Sequence, residues 1–330
     1  MRYIVIGAGA VGGTIGARLH QGGHDVLLIA RGAHYEALKS DGLRLITPET
    51  TETLDIPAAD GPVPGRDDDV LILATKSQDT IAALADWPAD LPVVCAQNGV
   101  DNERTVLRRF SRVYGMCVWL PAQHLEPGVV AAHAYPYSGM LHVGRYPQGV
   151  DDLATQIVTD LGKPSSGGLV ARAVPDVMRW KHGKLLGNLA NAVEALVGHT
   201  DGPVDGRAAV VDRARAEAMD VLDKAGIAYS TPEEEREVRG HQVDVRPIEG
   251  VDRGGGSSWQ SLARASGSIE ADYLNGEIVL QGRLHGVPTP VNEVLRREAN
   301  RHAREKLPPA SMPLETLVGL IDERCAAESR

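Results

Sequence analysis

A chain of 330 residues is long enough for two domains, each with its own buried core. At 43% hydrophobic and 24% charged it has the composition of a globular protein, and a single Phe leaves Ala, Val, Leu and Ile to fill most of the core. The net charge of −10 argues against a general binder of nucleic acid or of anionic membranes, because phosphate-rich partners would be repelled.

Short apolar runs alternate with helical patterns over the first two-fifths of the chain, which predicts an α/β fold with a mainly parallel sheet. Tyr3–Ile6 reads as the first strand, Ala10–Gln21 as a helix ended by Gly22-Gly23, and Val26–Ile29 as the second strand. Leu43–Ile46 and the region to Ile56 read as a hairpin excursion. Asp67–Asp69 is a solvated turn before the buried strand Val70–Ala74; Ile81–Ala85 is helical and Val93–Ala96 is again a strand. Val113–Trp119, Val129–Ala132 and Met140–Val143 read as the far edge of the sheet. Beyond Ala173 a 3.6-residue periodicity predicts long helices over Asp176–Val197, Ala208–Ala225, Ser258–His285 and Pro290–Glu305, and Thr231-Pro232-Glu233-Glu234 carries a capping box that starts another. The expected division is residues 1–172 for the first domain and an all-α second domain over 173–330.

Gly7-Ala8-Gly9-Ala10-Val11-Gly12 is a GxGxxG between a strand and a helix. Gly7 makes the tight turn, Gly9 lets the backbone approach a pyrophosphate, and Gly12 lets helix and strand pack closely. The pyrophosphate then meets free N–H groups at the positive end of the helix. Where an NAD-preferring domain places a carboxylate for the ribose 2′-OH, this chain reads Leu28-Ile29-Ala30-Arg31. A carboxylate would repel a 2′-phosphate and a guanidinium can clamp it, so the expected cofactor is NADP(H), with Arg31 as its discriminating residue.

Two further turns lie at the C-terminal ends of strands, where such sheets put their chemistry. Lys76 follows the fourth apolar run and suits a ribose or a phosphate; Asn98, a donor and an acceptor, suits the nicotinamide ribose or a substrate oxygen. In the second domain Lys184, Asn188 and Asn191 stand at i, i+4 and i+7 of one predicted helix and share a face, where their polar groups need partners. A lysine there suits proton donation to a developing alkoxide. Ser257-Ser258 follows the triple glycine Gly254–Gly256, and Glu270 comes twelve residues after Ser258. The glycines read as a flexible loop or, less simply, a hinge.

In the order and spacing of these motifs the chain resembles the ketopantoate reductase (2-dehydropantoate 2-reductase) family nearly from end to end. The matching residues are GAGAVGG, Arg31, Thr75-Lys76, Gln97-Asn98-Gly99, Lys184-Leu185-Leu186-x-Asn188, Ser257-Ser258 and Glu270 with the Asp-Tyr-Leu-Asn-Gly after it. The resemblance implies an N-terminal Rossmann domain, a helical C-terminal domain with an active site between them, and NADPH-dependent reduction of ketopantoate to pantoate on the way to pantothenate. It implies that Lys184 is the proton donor, that Lys76 and Asn98 are cofactor and active-site contacts, that Asn188 and Ser258 bind substrate, that Glu270 lies near cofactor and lysine, and that Ala122 offers a backbone contact. One departure concerns the substrate. The family helix reads Lys-x-x-x-Asn-x-x-x-Asn-Pro, whereas position 192 here is Ala and the nearest Asn is Asn191. On a helix that turns the side chain by about 100° from the expected direction, unless the helix is locally irregular.

Two rival readings follow: an NADP-dependent reductase or dehydrogenase of another small keto or hydroxy acid, and a non-catalytic NADP(H)-sensing protein. His133, His142, His182, His199 and His241 lack ligand spacing, so no metal is expected. Cys95, Cys117 and Cys325 are far apart without a Cys-x-x-Cys, and the sequence begins almost at once on an apolar strand, with no apolar stretch near the ~18 residues of a membrane span. The expectation is a soluble cytoplasmic protein. The apolar faces of the second-domain helices would serve a homodimer as well as a core.

Overall fold

The computed structural model describes residues 1–162, 168–198 and 206–328; of the histidines above, His199 lies outside them. The first stretch runs β1 (Arg2–Ile6), α1 (Ala10–Gln21), β2 (Asp25–Ile29), α2 (Gly32–Asp41), β3 (Leu43–Ile46), β4 (Thr51–Leu54), β5 (Ala58–Ala59), β6 (Asp69–Leu73), α3 (Thr80–Leu84), β7 (Val93–Cys95), α4 (Asn102–Leu107) and β8 (Val113–Trp119). There follow β9 (Ala122–Glu126), β10 (Val129–Ala132), β11 (Ala134–Pro136), β12 (Gly139–Arg145), α5 (Asp152–Leu161) and β13 (Leu169–Ala173). The helical part comprises α6 (Val177–Asn188), α7 (Ala190–Val197), α8 (Gly206–Ala225) and α9 (Pro232–Arg239), then the short β14 (Val243–Val245). It ends with α10 (Ser257–Ala263), α11 (Asn275–His285), α12 (Pro290–Arg304) and α13 (Leu314–Glu328).

The main sheet has the order β13-β12-β8-β7-β6-β1-β2-β5. All its pairs are parallel except β12 with β8. The inner strands are buried on both faces, which is why they read as continuous Val, Leu and Ile runs. With β2 on one side of β1 and β6 on the other, the strand order reverses at β1, and ligands of such sheets bind at that point beyond the carboxyl ends of the strands.

Several expectations need correction. Val129–Ala132 is not part of the far edge: as β10 it joins a second sheet of order β4-β3-β10-β9, where it pairs parallel with β3 and antiparallel with β9. Both sheets contribute to one core with α1, whose Gly13 lies close to Val130. Asp176–Val197 is two helices, interrupted at Leu189. Ser258–His285 is also broken, because Ala265 and Gly267 adopt positive φ of 48° and 75° and turn the chain out of the helix. The helix α2 was not anticipated; it opens on Gly32 at φ 58° and buries only Leu38, so it shows no apolar stripe.

The described chain divides into two compact units. The first takes Met1–Lys181 together with Thr231–Arg253, the second His182–Ser230 together with Gly254–Arg330. The returning segment is tied into the first unit by β14 pairing with β11, and by Arg179 donating to Glu234 at 2.6 Å beside the expected capping box of Thr231. The second unit is helical around Val193, Leu196, Ala214, Val294, Leu295 and Leu317. Within it Glu217 of α8 accepts from the backbone N–H groups of Val291 and Asn292, at 2.8 and 3.0 Å, and so satisfies the start of α12.

Candidate functional site

In the first unit β1 runs into a tight turn that only glycine accommodates easily. Gly7 has φ 98°, and its N–H, like that of Ala8, donates to the carbonyl of Ile29 at the end of β2, at 3.0 and 3.2 Å. A Cβ on Gly12 would lie 2.1 Å from the Gly7 carbonyl oxygen, so packing alone requires glycine there. Gly9 differs: a Cβ on it would meet nothing within 4 Å. Nothing in the chain's own packing demands glycine at position 9, and the open space over it fits an approaching ligand. Gly9 is the N-cap of α1, makes no side-chain cap, and is followed by no acidic residue in the first turn. The N–H groups of Ala10, Val11 and Gly12 lack intrahelical acceptors, and the helix dipole favours an anion beside them. The turn Gly7-Ala8-Gly9-Ala10-Val11-Gly12 therefore fits a pyrophosphate.

At the end of β2, Ala30 is buried and Arg31 is the N-cap residue of α2. The Arg31 side chain is exposed and has no hydrogen bond or ion pair among the described residues. Its helix is attached to the glycine turn by His34, whose Nε2 lies 2.7 Å from the Ala8 carbonyl oxygen and whose Nδ1 accepts from the Gly128 N–H at 2.9 Å.

Three strand ends meet here. The Cβ position of Gly7 lies 3.0 Å from Thr75 Cγ2, which sets the Thr75-Lys76 turn beside the glycine turn, and the Thr75 hydroxyl is buried without a partner among the described residues. The Asn98 carbonyl accepts from Asn102 Nδ2 at 3.1 Å and from Ser77 Oγ at 3.5 Å, which joins the Asn98 turn to the segment after Lys76. The glycine turn, Lys76 and Asn98 are thus brought to one edge of the sheet. Ala122 opens β9 of the second sheet, opposite Ala132, and follows the end of β8 by three residues. Sequence reasoning missed two charged residues beneath the Asn98 turn, Lys181 and Glu103, which form a buried ion pair. Burial pushes the Glu103 carboxyl above its ordinary value and the Lys181 charge opposes that. A clue was present in Glu103 following Gln97-Asn98-Gly99 so closely, but an acid in the first turn of a short helix reads as solvated.

In the second unit Lys184 and Asn188 are one turn apart on α6, and the Asn188 Nδ2 is a buried donor with no partner among the described residues. Such an unmet amide is costly and fits a ligand oxygen. Asn191 lies on α7, where its Nδ2 is 3.4 Å from Ser257 Oγ. Glu194, one turn on, accepts from the Gly256 N–H at 2.9 Å. Asn191 and Glu194 so hold the start of α10, which carries the buried Ser258. The triple glycine is close-packed against the chain itself: Cβ atoms on Gly254 and Gly255 would each come within 2.6 Å of the Trp259 ring system, and one on Gly256 within 2.6 Å of Glu194 Oε2. Glu270 is buried at the start of a single 3₁₀ turn, Glu270–Asp272. Of the histidines, His133 is buried and lies 2.6 Å from Gln123 Oε1, His142 is wedged edge-on between Trp119 and Trp180, and His241 is exposed beside Asp244.

Family models match both parts of the chain: ketopantoate reductase PanE/ApbA over residues 3–148 and ketopantoate reductase PanE/ApbA C terminal over residues 176–302. The chain is 30% identical to a 2-dehydropantoate 2-reductase of Archaeoglobus fulgidus, with 89% of this chain and 95% of that protein covered. It is 27% identical to one from Pyrococcus horikoshii with the same coverage. Among solved structures, a PanE/ApbA family ketopantoate reductase from Ralstonia eutropha superimposes with a TM-score of 0.76 at 27% identity, covering 93% of this chain and 99% of the other. A D-mandelate dehydrogenase solved with NADH and anilino(oxo)acetate shares the fold, at a TM-score of 0.79 and 23% identity over 93% of this chain and 100% of that one.

Proposed function

The chain belongs to the ketopantoate reductase family and is an oxidoreductase acting on the C=O/CH–OH pair, and on that premise we propose that it uses NADPH to reduce a small 2-keto acid, 2-dehydropantoate giving pantoate. The observation that carries the cofactor reading is the acid-free, uncapped start of α1 under the open Gly9 position, together with an exposed Arg31 that has no partner among the described residues at the end of β2. The α1 N–H groups receive the pyrophosphate and Arg31 the 2′-phosphate. Lys76 and Asn98 hold the ribose end of the cofactor, and Ala122 contributes backbone. Work in the reducing cytoplasm belongs to the same reading, since three cysteines far apart and without a Cys-x-x-Cys suit that compartment.

The bound cofactor supplies a hydride for the carbonyl carbon. As charge develops on the carbonyl oxygen, Lys184 Nζ donates a proton to it, so that one hydride and one proton complete the alcohol. Glu270 orients the lysine. The Asn188 amide, without a partner among the described residues, donates to a substrate oxygen, as does Ser258. Lys184→Ala tests this directly: turnover falls by about 10²–10⁴-fold while NADPH binding, followed by its fluorescence, stays near wild type. Equal loss of both would make the lysine a structural or cofactor-binding group.

A second reading is a different small 2-keto or hydroxy acid. It is favoured by Asn191, whose amide is directed to Ser257, and by Ala192, which is buried where the family pattern has its second asparagine. One substrate ligand is thereby removed, and the substrate best served carries one polar group fewer.

A further inference from the structure

Beneath the Gln97-Asn98-Gly99 turn lies polar machinery to which the roles above give no part. Lys181 is 3% exposed and Glu103 wholly buried. Lys181 Nζ donates both to Glu103 Oε1 and to the main-chain carbonyl of Gln97, the latter at 3.1 Å. From the other side, the Gln97 amide donates to Thr80 Oγ1 at 2.8 Å and Thr80 donates to Asn102 Oδ1 at 3.0 Å. Asn102 Nδ2 in turn donates to the Asn98 carbonyl at 3.1 Å and to Ser77 Oγ at 3.2 Å. The peptides on both sides of Asn98 therefore have their carbonyls held by side chains, Gln97 by Lys181 and Asn98 by Asn102. Gly99, at φ 78°, lets the chain turn away immediately afterwards.

A buried ion pair is a poor device for stability alone, since desolvation of both charges offsets most of their attraction and well-packed apolar residues do as well. What apolar residues cannot do is donate to the Gln97 carbonyl. A lysine has three N–H donors and can serve a carboxylate and a carbonyl together, with the carboxylate fixing where the ammonium sits.

We propose that Lys181 and Glu103 are positioning residues for the reductase reaction: the pair fixes the rotation of the Gln97–Asn98 peptide, and so the direction of the Asn98 side chain, while Asn102, through Ser77, ties that turn to the one carrying Lys76. The inference rests on the reading of Asn98 and Lys76 as cofactor and substrate contacts.

The test compares Lys181→Met with the double variant Lys181→Met/Glu103→Leu in the full-length protein. The single variant strands a carboxylate in the core and lowers Tm; the double removes the stranded charge and recovers Tm. Positioning predicts that the double variant, stable again, still turns over a 2-keto acid roughly 10²-fold more slowly, because a small misplacement of a reacting group is that costly. Its NADPH dissociation constant rises by less than turnover falls, roughly tenfold at most, because the Asn98 contact is disturbed while the glycine turn and Arg31 are untouched. Hydrogen exchange at residues 97–99, read by mass spectrometry, quickens by roughly tenfold in the double variant as the clamp opens. Glu103→Gln, which retains an acceptor for Lys181 Nζ, keeps turnover within roughly threefold of wild type, a rescue that a purely structural loss of charge would not give. Recovery of turnover and of slow exchange together with Tm in the double variant would overturn the proposal. If the wild type itself reduces no 2-keto acid, the functional reading fails on its own account, and exchange at residues 97–99 still decides whether the clamp exists. Should the double variant not fold, Glu103→Gln decides by the same two readouts: loss of turnover with quickened exchange despite a retained Lys181 would contradict the proposed geometry.

Discussion

Two glycines of one motif, three residues apart, respond differently to the same added methyl group. On Gly12 a Cβ would stand 2.1 Å from the Gly7 carbonyl oxygen, 2.9 Å from Ala74 Cβ and 3.0 Å from Val5 Cγ1. Backbone and strand must shift, and overpacking of this kind costs about 1–3 kcal/mol. Gly12→Ala therefore lowers Tm by several degrees, at about 2–4 °C per kcal/mol for a unit of this size. On Gly9 the same methyl touches nothing within 4 Å, and the backbone there, φ −72° and ψ −155°, suits alanine. The structural cost is a poorer N-cap, under about 1 kcal/mol. Yet the methyl occupies the space above the first N–H groups of α1. Losing one charge-assisted hydrogen bond to a phosphate oxygen costs about 1.5–3 kcal/mol, roughly a tenfold to hundredfold weaker dissociation constant. Thermal denaturation and NADPH fluorescence titration on both variants separate the two effects. A Gly9→Ala protein that binds NADPH as tightly as wild type would refute the placement of the pyrophosphate. An unchanged Tm in Gly12→Ala would refute the packing argument.

Further outcomes follow from the same geometry. Arg31→Ala leaves Tm unchanged, because the side chain is exposed and has no partner among the described residues, but weakens NADPH by roughly tenfold to a hundredfold while NADH is unaffected, as competitive titrations of the two cofactors would reveal. His142 is buried between two tryptophans, and burial, aided by the Arg172 charge, pushes its imidazole down from 6.5 to about 4. Between those values the unfolded chain takes up a proton that the folded chain refuses, so stability is full above pH 6.5 and falls as the pH drops towards 4, by about 3 kcal/mol in all. His142→Leu flattens that part of the pH–stability curve in urea unfolding; an unaltered slope would place the protonation elsewhere.

The cofactor end was legible because its constraints are local. A strand, a glycine turn and a helix follow one another within the span Arg2–Gln21, and each glycine answers to a neighbour in sequence. Strand partners are not local, which is why Val129–Ala132 reads as the far edge of the main sheet although it pairs with Leu43–Ile46. An insertion such as Thr231–Arg253, which returns to the first unit between two parts of the second, cannot be expressed by a single cut after residue 172. The break in the predicted helix Ser258–His285 had a visible mark in Gly267, but the positive φ of Ala265 had none. At the substrate end, the chain passes from α6 to α7 through Leu189 with helical backbone angles, φ −60° and ψ −27°, and the Asn191 amide lies against Ser257, a partner sixty-six residues away that no local pattern shows. The triple glycine, read as a loop or hinge, is explained by contact with Trp259, four and five residues on, and with Glu194, sixty-two residues away, which no local pattern shows. Lys181 is not legible in the sequence because burial of a lysine depends on a distant carboxylate, here Glu103.

The central claim is tested most directly by steady-state reduction of 2-dehydropantoate, 2-ketoisovalerate and oxaloacetate with NADPH and with NADH in parallel. The account predicts oxidation of NADPH in preference to NADH, by at least about tenfold in kcat/KM, with 2-dehydropantoate the best of the three acids. Equal use of NADH would contradict the role given to Arg31, and tight NADPH binding without turnover of any 2-keto acid would contradict the reductase itself.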